Sequence, residues 1–324
     1  MCFLKGVPMG LSMNVQKSVV IEKPIEEVFQ FISNFQNWAH WSPWICQEPE
    51  CPVDISGDSS SIGHKQEWRG ELIGTGNMEI QEIKGKEYVG YQLNFLKPWK
   101  SKAKAFFELK DIGGKTQVDW HLKGSIPYFI FFLRKLMIAL VGMDYKRGLS
   151  MMKDYMEKGV VHTKVEKSGL VDKEAFHYIG FKANCHANDM GPKMKAGFED
   201  LESKIQAGEL PPPDFALSIY NKFDLVKEQA DFISGFGYYK NPELGTKVND
   251  MGLVEGDIPK HQAECVTHTG SYEHLGNAWA TGMTLFRNKK FKKHKTIAMY
   301  EEYVNNPQDT QPADLITKVF MPIR

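Results

Sequence analysis

Hydrophobic and polar residues alternate with two different periods along the first half of the chain. Residues 17–22 (KSVVIE) alternate with the period of a β-strand, and apolar residues recur at helical spacing after Pro24. Between residues 62 and 123, short stretches rich in β-branched and aromatic residues are separated by turn signals such as IKGKE and DIGGK. A helical pattern then runs from Pro127 to Lys158 and ends at Gly159. The pattern predicts a strand, a helix, an antiparallel meander and one long closing helix.

The second half of the chain mixes strand and helix patterns more evenly. A polar connector (VVHTKVEKSGLVDKE) follows the long helix, so we place a domain boundary near residue 160. The elements predicted after it are strand 176–184, helix 192–207, a strand after the proline run PPP, strand 263–269, helix 272–286, strand 297–304 and strand 315–322. We predict an α+β fold with two domains, residues 14–158 and 165–324, the second built from a duplicated strand–helix–strand–strand unit.

The composition is that of a globular protein and narrows the range of functions. The 324 residues are enough for two domains, and 42% of them are hydrophobic. Lys and Arg together number 40, as do Asp and Glu, so the chain lacks the basic excess of a nucleic-acid-binding domain. We therefore expect no direct contact with nucleic acid. The one dense basic run, residues 287–295 (RNKKFKKHK), is interpreted as a solvated connector.

The most apolar segment of the sequence is residues 129–143 (FIFFLRKLMIALVGM). It is too short to cross a bilayer, and it contains Arg134 and Lys135. We therefore expect no membrane span. We interpret the segment as part of a buried helix, with a role at a membrane surface as the alternative.

The cysteines and the short motifs point away from disulfides, metals and cofactors. The five cysteines are an odd number and form no CxxC pair, which favours a reducing cytoplasmic location and packing roles. His261, Cys265 and His268 lie on one predicted strand without a fourth ligand at a familiar spacing, so we expect no metal site. Phosphate-binding, dinucleotide-binding and serine-hydrolase motifs are absent from the sequence, so we also expect no cofactor.

Several segments of the first half carry a family resemblance. KPIEEVFQFISNFQNWAHWSPW, EWRGELIGTGNMEI, NFLKPWKSKAKAFFEL and TQVDWHLKG resemble the polyketide cyclase and START-related (SRPBCC) helix-grip superfamily, over residues 14–158. The resemblance implies a curved antiparallel sheet that grips a long C-terminal helix around an apolar cavity. Most tryptophans lie in this half, and Trp41, Trp68 and Trp120 are candidate walls for an apolar ligand. The alternative for these indoles is simple core packing.

The second half resembles a different family. VTHTGSYEHLGNAWATG and YEEYVNNPQDTQPADLITKVFMPI resemble the gyrase-inhibitor-like (GyrI-like) effector-binding domain of drug-responsive regulators, over residues 165–324. The resemblance implies that a Glu on the strand before the Asn-x-Pro turn points into a central aromatic cleft and meets cationic, lipophilic ligands. By position that residue is Glu301, with Tyr303 on the same strand face. Whether Glu301 or the adjacent Glu302 faces the cleft stays open at this point. The candidate aromatic walls are Tyr220, Tyr272 and Trp279.

A carboxylate buried among aromatic rings has two chemical uses. Coulomb attraction is weakly screened there, and ring faces add cation–π contacts, so the group suits a cation receptor. Burial also disfavours the charged form, which suits a general acid or base. The alternative for Glu301 is an ordinary solvated carboxylate on a strand.

These observations lead to one main hypothesis and two competitors. Regulators with a GyrI-like domain place a helix-turn-helix ahead of it, whereas the first half of this chain has no such pattern. The main hypothesis is a cytoplasmic small-molecule-binding protein that captures amphipathic or aromatic, including cationic, ligands in the second domain and an apolar ligand in the first. The first competitor is a hydrolase of strained electrophilic compounds in which Glu301 activates water and Tyr303 donates a proton. A regulator acting through a protein partner has no sequence feature in its favour.

Overall fold

The computed structural model describes residues 10–98, 100–288 and 291–324. The chain divides into two units, Met1–Val161 (unit 1) and His162–Arg324 (unit 2). Each unit has its own antiparallel sheet and its own buried apolar core. None of the helices in the described part of the chain combines the length and the apolar character that crossing a bilayer requires.

Unit 1 is a seven-stranded antiparallel sheet with one short and one long helix. Its elements are β1 (Gly10–Ile21), α1 (Ile25–Ser33), β2 (Val53–Ser56), β3 (Lys65–Arg69), β4 (Thr75–Lys84), β5 (Tyr88–Lys97), β6 (Ser101–Asp111), β7 (Thr116–Pro127) and α2 (Arg134–Lys158). The strand order is β1-β7-β6-β5-β4-β3-β2. The sequence of hairpins β3 to β7 is the predicted meander, and β1 closes it by pairing with β7.

Helix α2 lies along β1 and packs against the sheet. Arg134 Nε donates to the Ser12 carbonyl (2.7 Å) near one end, and Lys153 Nζ donates to the Val20 carbonyl (2.7 Å) near the other. The helix ends at Gly159, whose φ of 76° is the left-handed conformation that glycine adopts at little cost. This is the helix-grip arrangement expected from the sequence.

The core of unit 1 is an aromatic cluster between the sheet and α2. Trp120 on β7 stacks on Tyr145 of α2 with 3.7 Å between ring centroids. Trp41 lies 5.4 Å from Trp120, and Trp38 lies 4.5 Å from Trp41. All four side chains are buried. Because ring contacts of this density leave little room for solvent, the cluster is a close-packed core.

The structure corrects three local predictions in unit 1. Strand β1 begins at Gly10 rather than at residue 17, and the short strand β2 was not predicted. Helix α2 begins at Arg134, because β7 continues to Pro127 and a 3₁₀ turn, Tyr128–Leu133, makes the crossing to the helix. The prediction of a buried helix over residues 129–133 is therefore wrong: Phe132 is 67% exposed. The side chain of Phe129, the first residue of the segment predicted as a buried helix, lies outside the described side chains.

Unit 2 is an eight-stranded antiparallel sheet with two main helices. Its elements are β8 (Thr163–Lys173), β9 (Phe176–His186), α3 (Met190–Gln206), β10 (Phe215–Asp224), β11 (Gln229–Tyr238), α4 (Lys247–Asp250), β12 (Val254–Ile258), β13 (His261–Gly270), α5 (Gly276–Arg287), β14 (Met299–Tyr303) and β15 (Ile316–Pro322). The strand order is β12-β9-β11-β10-β14-β15-β13-β8. The segment predicted as a polar connector is in fact strand β8, which pairs with β13 and lies at the edge of the sheet.

The topology of unit 2 is a duplication. The order strand–helix–strand–strand occurs as β9-α3-β10-β11 and again as β13-α5-β14-β15. The two halves meet where β10 pairs with β14, at the centre of the sheet. The strand that precedes each half pairs with the other half, since β8 pairs with β13 and β12 pairs with β9. The predicted duplication is confirmed, and it places β10 and β14 side by side.

The two long helices of unit 2 lie on either side of this central pair. Helix α3 packs on β9 and β11, whereas α5 packs on β13, β8 and β15. Strands β10 and β14 lie between these two groups in the sheet order. We call the region over β10 and β14, between α3 and α5, the inter-helix cleft.

Candidate ligand-binding site

Glu301 lies on β14 at the floor of the inter-helix cleft. It is 1% exposed. Alternation along the strand places Glu301 and Tyr303 on one face of the sheet. That face is the helix-bearing one, since Glu301 contacts Trp279 of α5 and Tyr303 contacts Phe198 of α3. The structure therefore assigns the cleft side to Glu301.

Glu302 lies on the opposite face of the same strand. Its Oε1 atom is 2.6 Å from Lys173 Nζ, and both side chains are largely buried. Lys173 Nζ also lies 4.6 Å from the centre of the Phe320 ring. A groove of about 360 Å³ opens on this face beside the pair, with Cys265 in its lining. Glu302 is thus the partner of a lysine on the other side of the sheet from the cleft.

Aromatic side chains surround the Glu301 carboxylate. The indole N–H of Trp279 donates to Oε1, and the hydroxyl of Tyr303 donates to Oε2 at 2.7 Å. The Tyr220 ring packs against Trp279, and its hydroxyl is near enough to lower the pKa of Glu301. Helix α5 supplies the indole donor and β14 supplies the phenol donor, while Tyr220 belongs to β10. Donors fixed in this way orient the carboxylate and favour its charged form.

Burial has the opposite effect on the same carboxylate, because it favours the neutral form. Removal from water raises the pKa of Glu301 above its usual 4.5, against the lowering effect of Trp279, Tyr303 and Tyr220. The phenols respond to burial and to the nearby carboxylate: the pKa of Tyr272 is raised to about 12, and those of Tyr220 and Tyr303 are raised well above 10.0. The phenols are therefore neutral donors at physiological pH, and Glu301 is the titrating group of the cleft.

A row of hydroxyl groups leads away from Glu301 across the sheet. Ser218 Oγ on β10 lies 2.9 Å from Tyr303 Oη, and Ser234 Oγ on β11 lies 2.6 Å from Ser218 Oγ. Both serines are fully buried. Sequence reasoning missed them, although each is a polar residue inside an otherwise apolar strand pattern (FALSIY and DFISGF). That interruption is the signal that would have indicated a buried polar network.

Aromatic rings line the cleft around this network. Tyr220 and Trp279 are perpendicular with 5.0 Å between centroids, and Tyr272 lies 5.6 Å from Tyr303. Tyr272 is 38% exposed, so it lies at the rim, whereas Tyr303 is deeper. The structure thus brings all five candidate residues of the second domain together around one carboxylate.

The other sequence candidates lie elsewhere. Trp41 and Trp120 are each 1% exposed and are members of the aromatic core of unit 1. Trp68 is half-buried on β3 and packs edge-on against Phe95 at 6.2 Å. Trp99, another tryptophan of the first half, lies outside the described residues. These positions correspond to core packing for Trp41 and Trp120, and the apolar ligand of unit 1 stays a prediction.

The histidines of β13 serve in separate contacts. His261 Nε2 lies 3.1 Å from Tyr300 Oη, whereas His268 Nε2 lies 2.9 Å from Thr163 Oγ1. Each histidine therefore has its own hydroxyl partner.

Two family models match the chain, one in each unit. Residues 12–157 match the family described as polyketide cyclase / dehydrase and lipid transport. Residues 167–324 match the GyrI-like small molecule binding domain. These matches confirm both resemblances seen in the sequence and the two-domain arrangement. They indicate that the chain is built from small-molecule-binding domains.

Solved structures that match part of the chain share little sequence with it. The Aha1 dimer from Colwellia psychrerythraea is 18% identical, with a TM-score of 0.35, over 45% of this chain and 98% of that chain. CalU16 from Micromonospora echinospora is 13% identical, with a TM-score of 0.34, over 47% of this chain and 82% of that chain. XoxI from Bacillus cereus is 16% identical, with a TM-score of 0.34, over 45% of this chain and 96% of that chain. No curated protein matches the chain.

Proposed function

We propose that the GyrI-like unit captures amphipathic aromatic molecules, preferentially cationic ones, in the inter-helix cleft with Glu301 as the charge partner. The observation that carries the proposal is a carboxylate with 1% exposure that accepts hydrogen bonds from Trp279 of α5 and Tyr303 of β14. A cation placed beside it gains a weakly screened Coulomb attraction, and Trp279 and Tyr220 present ring faces for cation–π contact. The polyketide cyclase-like unit holds an apolar ligand in the same proposal.

Access to Glu301 requires a side-chain movement. Because the carboxylate is almost fully covered, a ligand reaches it only after a ring above it rotates. Tyr272 is the most exposed of the five candidate residues in the cleft and lies at its rim. We expect ligand binding to displace Tyr272 first, since that ring loses the least buried contact when it moves.

The proposal is tested with one cationic and one neutral dye, for example ethidium and Nile red, titrated into the full chain. Glu301→Gln is expected to weaken binding of the cationic dye by about 1.5 to 3 kcal/mol and to spare the neutral dye, because only the charge-assisted contact is lost. Glu302→Gln is the matched control, since it removes the neighbouring carboxylate from the opposite face. Unchanged binding of the cation in Glu301→Gln would remove this residue from the site.

A hydrolase of strained electrophiles is the second candidate, and one observation favours it. Tyr303 Oη lies 2.7 Å from Glu301 Oε2, so a proton donor and a carboxylate of raised pKa lie side by side. In this reading Glu301 removes a proton from water while the water oxygen attacks the strained carbon. The ring bond breaks, and the leaving atom takes a proton from Tyr303.

Turnover separates the two candidates. The full chain is incubated with epoxides, activated cyclopropanes, simple esters and amides, and products are followed by mass spectrometry. Multiple turnovers that both Glu301→Gln and Tyr303→Phe abolish would establish the hydrolase. Stoichiometric binding without product across the panel would leave the protein as a binder.

A further inference from the structure

Four large apolar side chains are exposed together where unit 1 crosses from β7 to α2. Phe131 is 61% exposed and Phe132 is 67% exposed, and Leu133 and Leu136 are each 36% exposed. Single exposed apolar residues are common, but a continuous group that includes two phenylalanines marks an interaction surface. Neither the small-molecule cleft nor the aromatic core of unit 1 uses these side chains.

The turn between β5 and β6 reaches the same end of the sheet. Phe95 pairs with Ser101 across that turn, Ala103 pairs with Gly124 of β7, and β7 ends at Pro127. Adjacent strands are about 5 Å apart, so the turn lies within about 10 Å of the end of β7. Leu96, at the start of this turn, is 45% exposed and extends the apolar surface.

Basic residues lie at the same end of unit 1 as the exposed apolar side chains. Lys97, Lys100 and Lys102 belong to the β5–β6 turn and its flanks, and Arg134 and Lys135 begin α2. Among the described residues, none of these five forms an ion pair, and segments 96–102 and 121–136 contain no Asp or Glu. The acidic residue of the neighbouring β3–β4 turn is Glu71, beyond the β5 edge of the surface. We call Leu96, Phe131, Phe132, Leu133, Leu136 and these five bases the apolar–basic end.

We propose that the apolar–basic end docks unit 1 on a membrane surface that carries anionic lipids. Exposed aromatic and leucine side chains enter the region between headgroups and acyl chains, while lysine and arginine contact the anionic headgroups. Charge complementarity selects this occupant, since bases without an ion-pair partner among the described residues lie at the same end as the exposed apolar groups. A bilayer surface offers both matching parts, anionic headgroups outside and apolar acyl chains beneath them. The contact is peripheral, because the chain approaches the bilayer with a turn and the first residues of a helix.

The proposal is tested by flotation of the full chain with vesicles. Binding is expected to vesicles of phosphatidylcholine mixed with phosphatidylglycerol and to be much weaker to phosphatidylcholine alone. Salt is expected to weaken the binding, because screening shortens the reach of the basic side chains. The double substitution Phe131→Ser/Phe132→Ser is expected to reduce partitioning at least tenfold, and Lys100→Gln about fivefold.

Two matched controls lie at the opposite end of the same sheet. Ile62 is 67% exposed in the β2–β3 turn, and Lys110 is exposed near the β6–β7 turn. Ile62→Ser and Lys110→Gln remove the same kinds of group and are expected to leave partitioning unchanged. Since all substituted side chains are exposed, circular dichroism and the thermal midpoint are expected to match those of the unsubstituted chain.

Three results would overturn the proposal. The first is a chain that does not float with either kind of vesicle. The second is equal partitioning of the Phe131→Ser/Phe132→Ser variant and the unsubstituted chain. The third is a dimer in sedimentation velocity that this double substitution dissociates, because the surface would then be occupied by a second copy of the chain.

Discussion

Glu301 and Glu302 are neighbours in sequence, yet their carboxylates lie on opposite faces of one sheet. Glu301 accepts hydrogen bonds from Trp279 and Tyr303 beneath the helices, whereas Glu302 pairs with Lys173 on the other face. Successive side chains of a strand point to opposite faces of the sheet. A difference of one position in sequence therefore places one carboxylate among aromatic rings and the other beside a lysine. The pair therefore provides a built-in control for experiments on the cleft.

The first prediction concerns the pH dependence of stability. Burial raises the pKa of Glu301 in the folded state above 4.5, so its neutral form is the better accommodated one. Its contribution to stability is fully present below the unfolded pKa and is lost as pH rises through the folded pKa. Relative to Glu301→Gln, unfolding of the unsubstituted chain should therefore become easier across that window, by about 1.4 kcal/mol for each unit by which the pKa is raised.

This prediction is measured by urea unfolding at a series of pH values. Residues 162–324 contain one tryptophan, Trp279, which donates to Glu301, whereas the other six tryptophans lie in unit 1. Fluorescence therefore reports on the cleft when it is measured on residues 162–324 expressed alone, with and without Glu301→Gln. A parallel pH profile for both proteins would show that Glu301 titrates normally, contrary to the expectation.

The second prediction concerns the row of buried hydroxyls. Ser218→Ala removes the group between Tyr303 and Ser234, and it is expected to cost about 1 to 3 kcal/mol, because buried polar partners are left unsatisfied. Ser234→Ala should destabilise the fold less, since Ser218 then still has its hydrogen bond with Tyr303. The double variant is expected to be more stable than the sum of the single effects implies, by about 0.5 kcal/mol or more. Strict additivity in a double-mutant cycle would argue against a coupled network.

The third prediction compares two glycines on helix α2. A methyl group at Gly148 would lie 3.0 Å from Pro43 Cδ and 3.0 Å from the Trp120 ring, which is fixed in the aromatic core. At Gly142 the nearest atom is the flexible end of Lys17, at 3.2 Å. Both substitutions to Ala gain the same helix propensity, so Gly148→Ala should be less stable than Gly142→Ala by about 1 to 3 kcal/mol.

Thermal or urea unfolding of the two glycine variants checks this difference. Equal stability would mean that Pro43 and Trp120 move aside for the added methyl group without loss of folding free energy. Such a result would contradict a close-packed contact between α2 and the sheet.

The fourth prediction concerns the division of the chain. Each unit has a complete sheet and its own core, so residues 1–161 and 162–324 are expected to fold when expressed separately. Amide dispersion in NMR spectra and circular dichroism measure this for each half. If either half is unfolded while the full chain is folded, the two units depend on each other and the boundary near residue 160 is not a domain boundary.

Local pattern in the sequence was enough for most elements of the fold. The period of apolar residues indicated α1, α3 and the meander, and Gly159 marked the end of α2. The pattern of apolar and polar residues did not predict strands that form only because a neighbouring strand pairs with them. Residues 163–173 are polar enough to suggest a connector, yet they form β8 because β13 offers them a partner edge.

For the site, the sequence determined which residues are present, and the tertiary structure decided which of them meet. The motif around residues 300–307 identified Glu301 and Tyr303 from order along the chain alone. Only folding brings Trp279 from α5, Tyr220 from β10 and the buried serines to the same carboxylate. The physical reason is that periodicity is a local property of one element, whereas burial, hydrogen-bond partners and a raised pKa arise from neighbours that are distant in sequence.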